Sequence, residues 1–349
     1  MVQFLGKEVG PIGFGLMGLT WRADPPPLEQ ALAVMRAAVE NGQTLWNGGE
    51  FYGTPEYNSM TIIKAYFERY PEDADKVVLL MKGGVDTKIL KPDGSPEGIR
   101  RSLDNILAQL GGVKKIDGFC CARRDPEYPL SVTFGVIQKE YIDTGKVGAI
   151  YLSECGIHTI QEATKVADIA AAEVELSMFT PDVLKNGIAA ALKERNIPII
   201  AYSPLGRGVS VFLSKAWNCS AKTDNYMKLL TGQYKTLQDV KKLGFVSTYP
   251  RFQPAQLEHN LELVEKVEQF AREKGCTPGQ LAINWVRNLS SNPKLPLVVP
   301  IPGSSTVERV EENAKLVELT KEELDTLNNL ANSFETAGER YPPHAPINT

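Results

Sequence analysis

The sequence predicts an α/β fold: a closed (β/α)8 barrel of the TIM type. Three observations carry this. Short apolar runs of β type alternate without a break with longer runs of helical period. The short runs are apolar throughout, not at every second position, as strands buried on both faces of a parallel sheet are. Eight such strand–helix units can be counted along the 349 residues, which favours closure over an open, doubly wound sheet. Residues 1–349 are therefore expected to form a single barrel domain, with one long loop insertion near residues 203–256.

The opening strand is placed near "PIGFGLM", before the helix "LEQALAVMRAAVENG". "GQTLWN" then leads to "EYNSMTIIKAYFERY", "KVVLLMKGG" to "PEGIRRSLDNILAQLG", and "KIDGFCCAR" to "LSVTFGVIQKEYIDTG". "VGAIYLSE" leads to "TIQEATKV", and "IAAAEVELS" to "PDVLKNGIAAALKERN". "IPIIAYSPLG" precedes the insertion, and "LPLVVPIPG" with "TVERVEENAKL" closes the set. Each helix begins near Pro, Thr, Ser or Glu and stops near Gly or Asn. The insertion precedes the strong helix "AQLEHNLELVEKVEQFAREKG". Its aromatics (Phe212, Trp217, Tyr226, Tyr234, Phe245 and Tyr249) could cover a ligand or pack the loop onto the barrel.

Composition excludes several function classes. Hydrophobic content of 43% and charged content of 23% are those of a soluble globular protein. A net charge of −4 leaves no electrostatic footprint for nucleic acid or anionic lipid. No apolar run is long enough to span a bilayer, and "MVQFLGKEVG" lacks the features of a secretion signal. Five cysteines without zinc spacing suggest reduced thiols and a cytoplasmic location. The three histidines, His158, His259 and His344, are too scattered for a metal site or a Ser-His-Asp triad.

Two motifs matter. "GFGLMG" (13–18) fits G-x-G-x-x-G, but "LTWRADPPP" follows and cannot continue a helix, so a dinucleotide-binding βαβ unit is rejected. Its glycines are read as keeping the first strand's exit narrow for a flat ligand. "WNGGEFYG" (46–53) puts Tyr52 where a strand ends and a helix begins. In a (β/α)8 barrel that is the face on which chemistry occurs.

Together with "AYSPLGRG" and "PIPGSSTVERVEEN", these stretches resemble the aldo-keto reductases over nearly the whole chain. "WNGGEFYG", "FCCARRDP" and "LSE" most resemble the fungal pyridoxal reductases within that superfamily. The resemblance implies hydride transfer from NADPH to a carbonyl carbon, with Tyr52 protonating the oxygen. Lys82, at the end of the next strand, is expected to lower the phenol's pKa. Where the family commonly has Asp, this chain has Asn47. Asn47 is expected to accept a hydrogen bond from Lys82 and to leave its charge uncompensated. The family's histidine is replaced by Ala122. Arg123 is a candidate for an anionic substrate group, although strand alternation would turn it away from Ala122's side unless the strand has ended. Trp21 is a candidate stacking wall for an aromatic aldehyde.

For NADPH the resemblance implies Ser153 and Glu173 at the carboxamide, Glu173 replacing the family's Gln and Glu154 its Asn. Tyr202 is expected to stack on the nicotinamide, with Ser203, Leu205, Arg207 and Gly208 along the pyrophosphate. Ser304 and Ser305 are expected to cap a helix, Arg309 to pair with the 2′-phosphate, and Glu312 and Asn313 to meet the adenine. Met17 and Gly303 complete the set. Two functions stay open: reduction of an aldehyde, with pyridoxal to pyridoxine first and other aldehydes or ketones next, or an NADPH-binding regulatory subunit with little turnover.

Overall fold

The computed structural model describes residues 1–22, 24–206, 230 and 249–341. Arg207, Gly208 and most of the insertion, including five of its six aromatics, lie outside the described residues.

Residues 2–9 form a hairpin that the sequence reading did not anticipate. Strands β1 (Val2–Phe4) and β2 (Lys7–Val9) pair antiparallel. Leu5 and Gly6, both at positive φ, make the two-residue turn. Phe4 and Val9 are buried with the barrel-interior residues Leu45, Val78, Leu80 and Val299, so the hairpin closes the barrel at the amino ends of its strands.

Eight parallel strands follow in sequence order: β3 (Phe14–Gly15), β4 (Leu45–Gly49), β5 (Val78–Gly83), β6 (Gly118–Cys121), β7 (Ile150–Ser153), β8 (Ile169–Glu175), β9 (Ile199–Tyr202) and β10 (Val298–Pro300). Each pairs with its chain neighbour. The first and last are joined by Gly13 N to Pro300 O (2.9 Å), Gly15 N to Pro302 O (3.2 Å) and a Gly15–Gly303 bridge. The predicted barrel is thus observed.

Helices α1 (Met17–Thr20), α2 (Leu28–Glu40), α3 (Ser59–Arg69), α4 (Pro96–Leu110), α5 (Leu130–Val136), α6 (Ile157–Val166) and α7 (Ile188–Glu194) cross between strands. After them come α8 (Pro254–Lys274), α9 (Pro278–Asn288), α10 (Val307–Ala314) and α11 (Lys321–Ser333). Side-chain caps explain the starts of several of these helices. Asn58 accepts from Thr61 N, and Thr277 from Gln280 N, in reciprocal capping boxes. Pro96 and Pro278 stand in the first turn, where a missing N–H costs nothing. The larger core lies between the strands' outer faces and the helices. Trp46, wholly buried, meets Phe14, Tyr66 and Phe67 there. This fixes β4 from outside and leaves its carboxyl end free to shape the mouth.

Candidate active site

The turn after β4 positions Tyr52. Gly53 has φ +118°, and a Cβ there would lie 2.2 Å from the Tyr57 carbonyl oxygen, so only glycine fits. A Cβ at Gly49 would press on the Tyr52 ring at 3.1 Å. The flanking glycines therefore make room for the phenol and its turn. The ring stacks on Trp21 (centroids 5.2 Å apart) and meets Phe51 edge-on at 5.0 Å. Thr20 Oγ1 and Ser59 N both donate to the Tyr52 carbonyl.

Lys82 enters from β5, in register with Gly49, and its ammonium lies 5.2 Å from the centre of the Tyr52 ring. The two strand ends are tied together. Glu50 N donates to Lys82 O (2.7 Å), and the buried Glu50 carboxylate accepts from Ser102 Oγ (2.5 Å), which itself accepts from Gly84 N.

The lysine's charge is compensated, contrary to the sequence reading. Glu173, from β8, places Oε1 2.5 Å from Lys82 Nζ. Asn47 does not accept from the lysine. Its amide donates to the other Glu173 oxygen at 2.7 Å, because a carboxylate has only acceptors to offer. Glu173 is 1% exposed, so both of its oxygens are satisfied where no water competes.

The expected downward pull of Lys82 on the phenol's pKa is present, but it does not set the net direction. Burial pushes Tyr52 above its ordinary value; Lys82 pulls it down, and Glu173 opposes that pull. Burial disfavours the Lys82 ammonium, but the adjacent Glu173 carboxylate and the phenol outweigh it and hold its pKa well above the usual value. The resting site is a neutral phenol beside a lysine–glutamate ion pair.

Next to the strand of Lys82, β6 ends at Cys121, so strand alternation no longer applies to the next two residues. Ala122 and Arg123 both line the mouth, with Tyr52, Lys82 and Trp21. Ala122, where the resemblance implies a histidine, presents only a methyl group to the mouth. Arg123 donates to the Ala122 carbonyl (2.6 Å) and reaches the Tyr341 hydroxyl at 3.5 Å.

Tyr341 belongs to a carboxyl-terminal segment whose role the sequence reading missed. Arg340 inserts between two buried carboxylates, Glu154 (3.1 Å) and Glu175 (3.3 Å). Tyr202 donates to Glu154 Oε1 (2.9 Å) and meets the Tyr341 hydroxyl at 3.0 Å. Glu154, in the family's Asn place, is thus committed to Arg340 and Tyr202. Only the repeated acidic residues of "LSE" and "AEVELS" hinted that a buried cation was needed.

Of the expected cofactor residues, Met17, Ser153, Glu173, Tyr202, Ser203 and Gly303 line the same mouth, beside Gly15. Ser203 holds φ +52°, a strained value for a residue with a side chain. Leu205 is buried in the outer core and is not among the residues lining the mouth. Ser304 and Ser305 do not cap a helix. Thr306 caps α10, accepting from Arg309 N, while Ser304 Oγ accepts from Asn313 Nδ2 (2.9 Å) and Ser305 O from Gln30. Arg309 pairs with Glu312, whose other oxygen accepts from Thr277 (2.9 Å). No metal-binding cluster of His, Cys, Asp or Glu occurs among the described residues. Cys120, Cys121, Cys155 and Cys276 are free thiols.

Comparison with known proteins places this geometry. Residues 11–332 match the model of the aldo/keto reductase family. The chain is 38% identical over 345 residues to "Probable pyridoxal reductase 2" of Schizosaccharomyces pombe, covering 96% of each chain. It is 31% identical to "Aldo-keto reductase yakc [NADP(+)]" of the same organism, covering 98% of this chain and 94% of that one. In structure it resembles the glycerol dehydrogenase of Gluconobacter oxydans, with a TM-score of 0.73 at 20% identity over 97% of this chain and 96% of that one. At that identity the likeness speaks for the fold alone.

Proposed function

Since the chain belongs to the aldo/keto reductase family, an oxidoreductase family, we propose that it reduces an aldehyde to an alcohol with NADPH, pyridoxal to pyridoxine before others, in the cytoplasm. The observation that carries this reading is the Tyr52 phenol beside the Lys82 ammonium in a water-poor mouth. The relative named for pyridoxal reduction supports the substrate, and the one named with NADP(+) supports the cofactor.

The residues present suit a nicotinamide. Gly15 and Gly303 leave one side of the mouth without side chains, and Ser153 and Glu173 offer a hydroxyl and a carboxylate to an amide on the other. Tyr202 presents a ring whose hydroxyl is already anchored. When bound, NADPH would supply the hydride. Tyr52 donates its proton to the carbonyl oxygen, and Lys82 stabilises the phenolate left behind. Trp21, stacked on Tyr52, gives an aromatic aldehyde a wall, and Tyr341 faces the same space. The complete Tyr52–Lys82 pair, with its charge balanced, favours turnover over a purely regulatory binder.

The test is loss of nicotinamide absorbance with pyridoxal, which a steady rate supports and a tight complex without turnover opposes. Arg123 is assigned to the substrate's phenolate oxygen. Arg123→Ala is expected to raise KM for pyridoxal roughly tenfold while leaving KM for unsubstituted benzaldehyde within about twofold, as loss of one charge-assisted hydrogen bond implies. Equal effects on both substrates would remove the assignment.

Arg309 is assigned to the 2′-phosphate. Its present partner, Glu312, would be shared or displaced when that phosphate binds. Arg309→Ala is expected to weaken NADPH roughly tenfold or more, with NADH unchanged, by fluorescence titration. An unaltered preference would show that another residue reads the phosphate.

A further inference from the structure

Two residues depart from the family pattern in opposite senses. Asn47 is neutral where the resemblance to the family implies Asp, and Glu173 is anionic where it implies Gln. The structure puts them in contact. Asn47 Nδ2 donates to Glu173 Oε2 (2.7 Å) while Glu173 Oε1 holds Lys82 Nζ (2.5 Å). These partners are 126 and 91 residues apart in the chain. In the eight-strand order β8 is four strands from β4, so it faces β4 directly across the barrel.

We infer that Asn47 and Glu173 are an exchanged pair: the carboxylate that positions the lysine has moved from the tyrosine's own strand to the opposite wall, and Glu173 now holds Lys82 against Tyr52. The exchange conserves charge. Either arrangement gives one amide, one carboxylate and one ammonium, which is why neither departure need abolish function. Each single reversion breaks the balance. Glu173→Gln leaves a buried ammonium without a counter-charge, and Asn47→Asp puts two carboxylates on one lysine. Moving the carboxylate also gives it a second task. It now stands where the cofactor's amide is expected, with lone pairs still free to accept an N–H.

The inference rests on Tyr52 as the proton donor, and its test must fail separately from that reading. Groups facing the phenol are Lys82 from β5, Glu173 from β8 and Cys120 from β6. Arg123 beyond β6, Tyr151 from β7 and Tyr202 from β9 complete the surroundings. Titration of tyrosine labelled with 13C at Cζ, with the Tyr52 signal assigned by its loss in Tyr52→Phe, reads the phenol directly and needs no substrate. Relative to the unaltered protein, Glu173→Gln is expected to bring the Tyr52 titration about one to two pH units lower, because an anion a few ångströms away has been removed. Asn47→Asp is expected to move it higher. The double variant is expected to return to within about half a unit and to regain most of the kcat lost in Glu173→Gln.

A merely structural role would not produce opposite shifts that cancel. A Glu173→Gln titration unmoved or raised, or a double variant as displaced as its parent, overturns the exchange. If Glu173→Gln does not fold, the double variant decides alone: folding and titration like the unaltered protein support the inference, and failure to fold overturns it.

Discussion

Replacing Tyr52 with phenylalanine is expected to lower kcat for carbonyl reduction roughly 100- to 10,000-fold while leaving the fold and NADPH affinity nearly intact. The separation is possible because the hydroxyl and the ring do different work. The ring's contacts with Trp21 and Phe51 do not involve the oxygen. The turn is held through the Tyr52 carbonyl, by Thr20 and Ser59, and through Gly53. Phenylalanine keeps all of these. What disappears is the proton. A tyrosine whose pKa is raised by burial stays protonated across the neutral range, so it is always ready to donate. The sign of the pH effect follows. For reduction the acid form is needed, so kcat should be flat through neutrality and fall only as pH climbs through the raised phenol pKa, above the usual tyrosine range. Single-turnover mixing of the NADPH complex with pyridoxal, read at the nicotinamide band, checks both points. A rate within tenfold of the unaltered protein would move the donor elsewhere. Lys82→Met is the less clean variant, since it strands the buried Glu173 carboxylate and confounds catalysis with stability.

The barrel was legible because its strands are buried on both faces, which writes unbroken apolar runs such as "KVVLLM" and "IPIIAY" into the chain. Pattern placed Tyr52 and Lys82 at strand exits, and the resemblance to the aldo-keto reductases singled them out there. What pattern could not reveal were contacts made across the barrel. Glu173 becomes the lysine's partner only because eight strands close into a ring, and no local feature of "AEVELS" announces it. The same limit hid the tail, where Arg340 reaches Glu154 over 186 residues of chain. The pull of Lys82 on the phenol was read with the right sign, but the burial that outweighs it was not read, because a charge partner is visible in a sequence whereas the depth of burial is not. The serines before α10 show a smaller failure. Three hydroxyl residues in a row, Ser304, Ser305 and Thr306, are equivalent caps on paper, and the structure chose the last. The amino-terminal hairpin was missed through neglect of a short signal, since "VQFLGKEV" carries two three-residue strands around a Leu-Gly turn.

Arg340→Met is expected to cost about 3–5 kcal/mol of stability in urea denaturation, the scale for removing one member of a buried ion network. Arg340 is 7% exposed, and the carboxylates it joins, Glu154 and Glu175, are 1% and 2% exposed. Methionine fills the space of the stem but removes the cation that Glu154 and Glu175 share. Hydrogen bonds from Tyr202 and Thr180 remain, but neutral donors do not replace the charge of the lost guanidinium. The segment cannot easily swing out to let water in. Residues just before it are fixed by Asn260 to both backbone groups of Ala337, by Arg251 Nε to Gly338 O (3.1 Å) and by Thr336 to the Phe179 carbonyl (2.8 Å). Gly338, at φ +83°, packs so close to Arg251 that a Cβ would meet its nitrogen at 2.8 Å. The charge explanation makes a second demand. Adding Glu154→Gln and Glu175→Gln to Arg340→Met should recover the greater part of the loss, because glutamine keeps an acceptor for Tyr202 and for Thr180 and needs no counter-ion. If the triple variant were as unstable as Arg340→Met alone, the cost would belong to the packing of the arginine stem, and the charges of the two glutamates would not be what holds Tyr341 at the mouth.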